Sequence, residues 1–137
     1  MISGHIEGLT PKSQHAFHIH ELGDLTESSN GCLSLASHFN PLGETHGGPH
    51  SCHSHIGDLG NLQADDNGIA DFSYREDKIS LLGAMSIIGR SCVVHLFQDD
   101  LGEGGTDESL KTGSAGPRIS CGVVGRAAAP PVLSKVN

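Results

Sequence analysis

Short runs of alternating apolar and polar residues, joined by glycine-rich connections, constrain the fold of this 137-residue chain most. Side chains alternate between the two faces of a strand, so each run predicts a β-strand with one buried face. The predicted strands cover residues 2–6, 15–20, 58–64, 69–74, 79–82, 91–97 and 119–125. Asn67 and Gly68 predict a tight hairpin turn before the fourth of these strands. The pattern predicts an all-β chain, folded as an antiparallel sandwich or barrel.

Two long irregular stretches interrupt the strands, at residues 24–57 and 98–118. Loops of this length inside a compact domain are usually functional. The chain length suits one domain, which we assign to residues 1–126, with residues 127–137 as a C-terminal tail. We therefore expect the functional residues to lie mainly in the two long loops and on the strands beside them.

The charge and hydropathy of the chain exclude some classes of partner. The formal net charge is -8, with 16 acidic residues against 8 lysines and arginines, which argues against nucleic acid and anionic membranes as partners. No apolar run approaches the ~20 residues that a membrane helix needs. Residues 1–10 lack the basic start and apolar core of a signal peptide. We expect a cytoplasmic protein, with an extracellular location as the alternative if a signal peptide precedes this sequence.

Ten histidines are present, and six of them fall between His15 and His50. His18 and His20 share one face of a predicted strand, about 7 Å apart at their backbones. A single surface histidine is more often solvated than bound to a metal, but the joint pattern predicts metal binding. One loop carries the further candidates His38, His46, His50, His53, His55 and Asp58. Histidines with an aspartate suit zinc, whereas His18, His20 and His95 suit an all-imidazole copper site.

The four cysteines lie at positions 32, 52, 92 and 121, without a CxxC pair. This spacing is not that of a zinc finger. A disulfide is compatible with the spacing, but the spacing alone does not pair the cysteines.

Five segments of the sequence carry a family resemblance. The segments HAFHIHELGD, HFNPLGETHGGP, HIGDLGN, VVHLFQDDLGEGG and KTGSAGPRISCGVVG resemble the copper/zinc superoxide dismutases, in order and over nearly the whole chain. The resemblance implies an antiparallel Greek-key β-sandwich or barrel, immunoglobulin-like, with long metal-binding and charged loops. It implies conversion of superoxide to oxygen and hydrogen peroxide by copper redox cycling, with a structural zinc.

The resemblance also assigns the metal ligands and the residues around them. Copper would be bound by His18, His20, His38 and His95, and zinc by His38, His46, His55 and Asp58. His38 would bridge the metals as an imidazolate and deliver a proton to the product, so it counts as catalytic. Asp99 would link a copper histidine to a zinc histidine, here His18 and His46. Cys32 and Cys121 would form the disulfide, which leaves Cys52 and Cys92 free.

The substrate implied by the resemblance is a small anion, although the protein is acidic overall. Arg118 matches the catalytic arginine beside copper, and Lys111 matches a lysine that guides superoxide. Together with Asp107 and Glu108, these residues would shape a local field that opposes the net charge. For Lys111 the alternative is a solvated loop lysine.

Some segments depart from the family pattern. The sequence starts within what would be the third family strand, so we expect a sandwich that lacks the first two. Arg126 and the tail replace an apolar ending at the family's dimer interface, so the resemblance leaves the homodimer open. A copper chaperone is the other protein partner it suggests. The additional His50, Cys52 and His53 are either surface variation or an auxiliary metal patch.

Two other functions are compatible with such a sequence. One is a superoxide dismutase-like docking domain, and the other is a catalytically weak, metal-binding paralogue. The complete set of copper ligands together with Arg118 favours the enzyme.

Overall fold

A computed structural model of the chain describes residues 1–26 and 32–128. Within these ranges six β-strands form two antiparallel sheets, which confirms the predicted all-β class. The strands are β1 Ile2–Ile6, β2 Gln14–His20, β3 Asp58–Gln63, β4 Ala70–Tyr74, β5 Ser91–His95 and β6 Arg118–Val123. A short 3-10 helix covers Leu33–Leu35, and α1 covers Ser109–Thr112. One sheet contains β1 and β4, and the other has the order β3-β2-β5-β6.

The core lies between the two sheets. β1 and β4 alternate between inward and exposed side chains, as predicted from their sequence. By contrast, β2 is paired on both edges, and His15 to His20 are all buried. The main apolar cluster contains Leu9, Phe17, Ile19, Phe39, Ile56, Leu59, Leu62, Ala64, Ala70, Ile87 and Val94. A smaller cluster of Cys32, Leu35 and Val93 fixes the first long loop against β5.

An irregularity in the pairing of β2 with β3 sets the position of Asp58. Ala16 lies opposite Asn61, but His18 lies opposite Asp58, so β3 contains one extra residue. Gly60 lies in this interval with a φ of 79°, a backbone conformation that favours glycine. The bulge therefore brings the carboxylate of Asp58 directly across from His18.

The predicted strand over residues 79–82 is wrong. Ser80 makes only an isolated bridge to Ser86, and the chain turns between them at Gly83, which has a φ of 73°. The other six predicted strands are present, with bounds that differ by two residues or fewer. Residues 129–137 of the predicted tail lie outside the described residues, so the domain boundary at residue 126 stays a prediction. In the described ranges no helix has the length and apolar character needed to cross a membrane.

Candidate metal centre

Four buried histidines from three parts of the chain form the first cluster. His18 and His20 come from β2, His95 ends β5, and His38 in the long loop forms a β-bridge with His20. Each of the four offers a ring nitrogen within 4.8 Å of the others. The Nε2 atoms of His20 and His95 are 3.3 Å apart, and the ring centres of His18 and His38 are 4.0 Å apart. The cluster contains the four predicted copper ligands.

A second cluster surrounds one carboxylate oxygen, Asp58 Oδ1. The Nδ1 atoms of His38, His46 and His55 lie 2.9, 3.0 and 3.1 Å from it. These are the four predicted zinc ligands. His18, His38, His46 and Asp58 also form a group within 4.8 Å, so distance alone places His18 beside both clusters. His38 belongs to both, as expected for a bridging residue.

Most of the clustered histidine rings are fixed by a hydrogen bond through one ring nitrogen, which leaves the other nitrogen available to a metal. Asp99 contacts both clusters, because its Oδ2 accepts from His18 Nε2 and its Oδ1 accepts from His46 Nε2, each at 2.7 Å. Backbone carbonyls fix two further rings: His20 Nδ1 lies 2.9 Å from Ala36 O, and His95 Nδ1 lies 3.0 Å from Gly116 O. In proteins, histidines that bind metals usually donate their second N–H in this way.

The remaining nitrogens of two rings test whether a metal fits. The Nδ1 atoms of His18 and His46 are buried and have no hydrogen-bond partner among the described residues. His46 Nδ1 lies 3.0 Å from Asp58 Oδ1, but the two atoms are not oriented for a hydrogen bond. With Nε2 donating to Asp99, the neutral ring of His18 has its lone pair on Nδ1, directed into a buried site, where an unsatisfied polar atom is costly. Copper and zinc fit these donor sets, because both metals accept imidazole nitrogen and zinc also accepts carboxylate oxygen.

The copper-side histidines are held neutral, which is the form that binds a metal. Burial lowers the pKa of His18 to about 3, and the nearby His38 contributes in the same direction. Burial likewise lowers the pKa of His20 to about 2 and that of His95 to about 4. These rings therefore carry lone pairs throughout the neutral pH range.

The carboxylates between the rings are held ionised. Burial raises the pKa of Asp99, but hydrogen bonds from His18 and His46 outweigh it and lower the pKa to about 2. Asp58 shows the same balance, and its histidine neighbours lower its pKa further. For His46, burial lowers the pKa, but its contacts with Asp58 and Asp99 raise it to about 9. Without a metal, a protonated His46 therefore offsets part of the charge of the two carboxylates, and a divalent cation would take the place of that proton.

A surface cavity of about 310 Å³ opens onto the first cluster. It is lined by His20, His38, His95, Arg118 and Lys111, among others. Arg118 donates from Nη1 to the carbonyl oxygen of Cys32 at 2.6 Å and from Nη2 to that of Ala36. These bonds hold the guanidinium at the cavity beside the histidines, where it can attract an anion.

The predicted guidance residues are placed differently from one another. Lys111 lines the cavity, from the last turn of α1. Asp107 and Glu108 are exposed just before α1 and are not among the residues that line the cavity. Glu108 accepts a 2.6 Å hydrogen bond from the hydroxyl of Thr112. Their role in guidance stays a prediction.

The four cysteines divide as the resemblance implied. Cys32 and Cys121 form a disulfide, which links the first long loop to β6. Cys52 is exposed and free, and Cys92 is half-buried and free. His53 pairs with Glu44 at 2.7 Å, and none of the metal-binding groups in the described ranges contains His50, Cys52 or His53. The choice between surface variation and an auxiliary metal patch at these three residues stays a prediction.

Several residues that support the site were not predicted. Asn61 forms two hydrogen bonds with the backbone of Asp99, at 2.7 and 2.9 Å. Gly113 packs so closely on Asp99 and His46 that a Cβ there would collide with both side chains. His15 is buried, and its Nδ1 lies 2.9 Å from the carbonyl oxygen of His95. The sequence places His15 close to His18 and His20, but it carries no signal for this structural role.

Comparison with known proteins identifies the family. The copper/zinc superoxide dismutase family model matches residues 1–124. The copper-zinc superoxide dismutase of Saccharomyces cerevisiae is 52% identical over 124 residues, which is 90% of this chain and 79% of that protein. Its counterpart A in Xenopus laevis is 56% identical over the same shares. The copper-zinc superoxide dismutase of Paramecium bursaria Chlorella virus 1 is 56% identical over 92% of this chain and 66% of its own length.

These matches cover the strands and both long loops that supply the histidine clusters, Asp58, Asp99 and Arg118. The chain belongs to the copper/zinc superoxide dismutase family.

Proposed function

We propose that this chain is a superoxide dismutase that converts two superoxide ions and two protons to oxygen and hydrogen peroxide. The observation that carries the proposal is the first histidine cluster, which opens onto a cavity that also contains Arg118. A metal site alone would suit many functions. A redox-capable imidazole site beside a fixed guanidinium suits a small anionic substrate.

The proposed ligand assignment combines the two clusters with the family resemblance. His18, His20, His38 and His95 would hold copper, and His38, His46, His55 and Asp58 would hold zinc. His18 can serve only one site, because its Nε2 is bound to Asp99 and only Nδ1 is left, and the family resemblance assigns that site to copper. When bound, copper supplies the one-electron redox chemistry, and zinc is redox-inert.

Arg118 is the residue that would bind superoxide. Its contacts with backbone carbonyls fix the guanidinium at the cavity, and the nearby Lys111 adds a second positive charge. A local positive potential raises the rate at which an anion arrives, even on a protein of net charge -8. Arg118 therefore concentrates and orients the substrate beside His20, His38 and His95.

His38 is the residue that would hold the proton for the product. Its Nδ1 faces Asp58 at 2.9 Å, so Nε2 is the nitrogen left toward the copper-side rings. His38 also lines the cavity, where a proton on Nε2 can reach a bound anion. Its position in both clusters makes it the residue on which metal geometry and proton delivery both depend.

The protein partners and the cellular location are proposed on the family resemblance alone. A homodimer and a copper chaperone come from the family resemblance. A cytoplasmic location is proposed on the same basis, with the extracellular space as the alternative. The Cys32–Cys121 disulfide is compatible with either compartment, because a buried, metal-supported disulfide can persist in the cytosol. Cell fractionation with an antibody against the chain would decide between them.

The test is to load the purified chain with copper and zinc and to measure metal content and superoxide consumption. We expect copper-dependent turnover that His38→Ala abolishes and Arg118→Ala lowers without loss of metal. His53→Ala is the matched control, because His53 is an exposed histidine of the same loop and contacts only Glu44 among the hydrogen bonds described. A chain that binds zinc alone, or binds both metals without turnover, would contradict the proposal.

A further inference from the structure

The tip of the first long loop, residues 48–54, is attached to the metal centre at its base. Asp58 accepts on Oδ2 from the backbone N–H of Gly47 at 3.1 Å and from that of His55 at 2.8 Å. Its other oxygen, Oδ1, faces the three zinc-side histidines. One carboxylate therefore closes the base of the loop tip and also belongs to the proposed zinc site, so the conformation of the tip and the position of His55 depend on each other.

One side-chain hydrogen bond connects the loop tip to a different part of the chain. Lys78 donates from Nζ to Ser54 Oγ at 2.6 Å. Ser54 is only 8% exposed, and it directly precedes His55. The other hydrogen bonds described for residues 48–54 stay within the first long loop. Among the described residues, Lys78 is therefore the only hydrogen-bond partner that the tip has outside its own loop.

Lys78 is half-buried and lies on an anchored segment between β4 and β5. Its backbone N–H donates to Glu76 Oε1 at 2.8 Å, and the next residue, Ile79, packs against the main apolar cluster. In the described ranges no carboxylate forms an ion pair with the Lys78 ammonium, so Ser54 is its main fixed partner. The bond therefore joins the loop tip to a part of the chain that the core holds in place.

The loop tip is packed incompletely against the strand that leads to Lys78. A surface cavity of about 380 Å³ is lined by Pro49 and His50 of the tip and by residues 74–76 at the end of β4. Apolar packing across this gap is limited, so the hydrogen bond carries more of the attachment. A hydrogen bond from a charged donor is stronger than one between neutral groups, and its loss leaves a buried hydroxyl without that partner.

We propose that Lys78 is a positioning residue of the zinc side, whose bond to Ser54 holds the loop tip and His55 in place and so slows the release of zinc. Neither Lys78 nor Ser54 forms a described hydrogen bond with a copper-side histidine, so the effect is on zinc retention and not on copper content. The inference rests on the zinc site of the proposed function, but zinc release is measured without turnover. A chain that retains zinc without consuming superoxide would contradict the proposed function and not this inference.

The first test is the rate of zinc release from the full chain, loaded with copper and zinc, to an excess of a chromogenic zinc chelator. We expect Lys78→Met to release zinc roughly three- to tenfold faster at unchanged copper content, and Lys78→Arg, which keeps a charged donor, to stay closer to the parent chain. Lys12→Met is the matched control, because the Lys12 side chain contacts only the exposed Asp66, at 3.4 Å, among the described residues. A parent rate in Lys78→Met, or equal effects of both methionines, overturns the proposal.

The second test is whether Lys78 and Ser54 act through the same bond. Ser54→Ala should raise the rate of zinc release about as much as Lys78→Met, and the double variant should be no faster than either, because each substitution removes the same interaction. Hydrogen exchange of the zinc-loaded variants should rise in a peptide that covers residues 48–55 and stay at the parent level in the second long loop, residues 98–118. Additive effects on zinc release, or exchange raised equally in both loops, would indicate a general loss of stability and overturn the proposal.

Discussion

The metal side of this sandwich and its β1–β4 sheet are held in place by different interactions. Around the metal centre, buried polar side chains are fixed by hydrogen bonds such as those that Asp99 makes to His18 and His46. In the other region, β1 and β4 contact the rest of the chain mainly through apolar side chains such as Ile2, Ile6 and Phe72. The first region depends on satisfying charge and lone pairs, and the second depends on covering apolar surface.

This difference explains where each region is vulnerable. A buried polar network is costly when one member is left without its partner, because the low dielectric strengthens both its bonds and its penalties. Apolar packing tolerates small changes of shape better than a buried polar network tolerates the loss of a partner. We therefore expect protons and carboxylate substitutions to act mainly on the metal side.

Acid should produce the largest effect on the metal-free chain. His18, His20 and His95 have folded pKa values of about 3, 2 and 4, below the ordinary 6.5, so the unfolded chain binds more protons at acidic pH. Stability is therefore lost as pH falls below about 6.5, by on the order of 2 kcal/mol for each ring near pH 5. Thermal unfolding after chelation, followed from pH 7 to 5, should show a steep decline.

A raised histidine pKa limits the stability of the metal-free chain at alkaline pH, and an exposed histidine provides the control for the acid decline. His46, with a pKa raised to about 9, contributes stability below pH 6.5 that is lost as pH rises through 9. The metal-free chain should thus be most stable near pH 6.5 to 7. His5→Gln should leave the acid decline unchanged, since His5 is exposed and its pKa of about 8 lies above that window. A midpoint that stays constant from pH 7 to 5 would contradict the assignment of buried neutral rings.

The sequence predicted the strands better than their connections, for a physical reason. Period-two patterns locate β1 and β4 because one face of each strand must be buried, whereas residues 79–82 alternate in sequence but pair with no strand among the described residues. The candidate histidines were predictable from their type and number. Their grouping came from the family resemblance alone, because the bulge at Gly60 and the carbonyls of Ala36 and Gly116 aim the rings, and backbone atoms leave no signature in residue type.

Asp99 provides a sharper test of the metal side, with an intermediate effect. Asp99→Asn keeps the size of the side chain but removes the charge, and one amide cannot accept from both His18 and His46 through equivalent oxygens. We expect an about 10- to 100-fold loss of metal affinity, which is typical when the partner of a ligating histidine is removed. Competition with a chelator, monitored by metal analysis, measures this loss.

Asp100→Asn is the matched control for that substitution. Asp100 is the next residue, but its carboxylate accepts from the hydroxyls of Ser109 and Ser114 and from the backbone of Gly102 instead of from a histidine. It should change loop stability and leave metal affinity close to that of the parent chain. Equal losses for both variants would mean that loop order, and not the contact of Asp99 with the rings, sets the affinity.

The smallest expected effect concerns Arg90, where the apolar core meets a charge. Its guanidinium stacks 3.6 Å above the ring of Phe39, and Nη1 donates to the backbone and side chain of Glu21 at 2.8 Å. Arg90→Met keeps the apolar stem but loses the stacking and these bonds, so we expect a loss of about 1–2 kcal/mol in unfolding free energy. Because Phe39 is held against Ile19 and Gly57 by backbone hydrogen bonds, metal content should not change.

Urea unfolding of the metal-loaded protein, with Arg75→Met as the control, checks this. Arg75 pairs only with the exposed Asp77 in the described structure, and its loss should be undetectable. A fall in metal content with Arg90→Met would show that the core and the metal side are coupled more tightly than their separate interactions indicate.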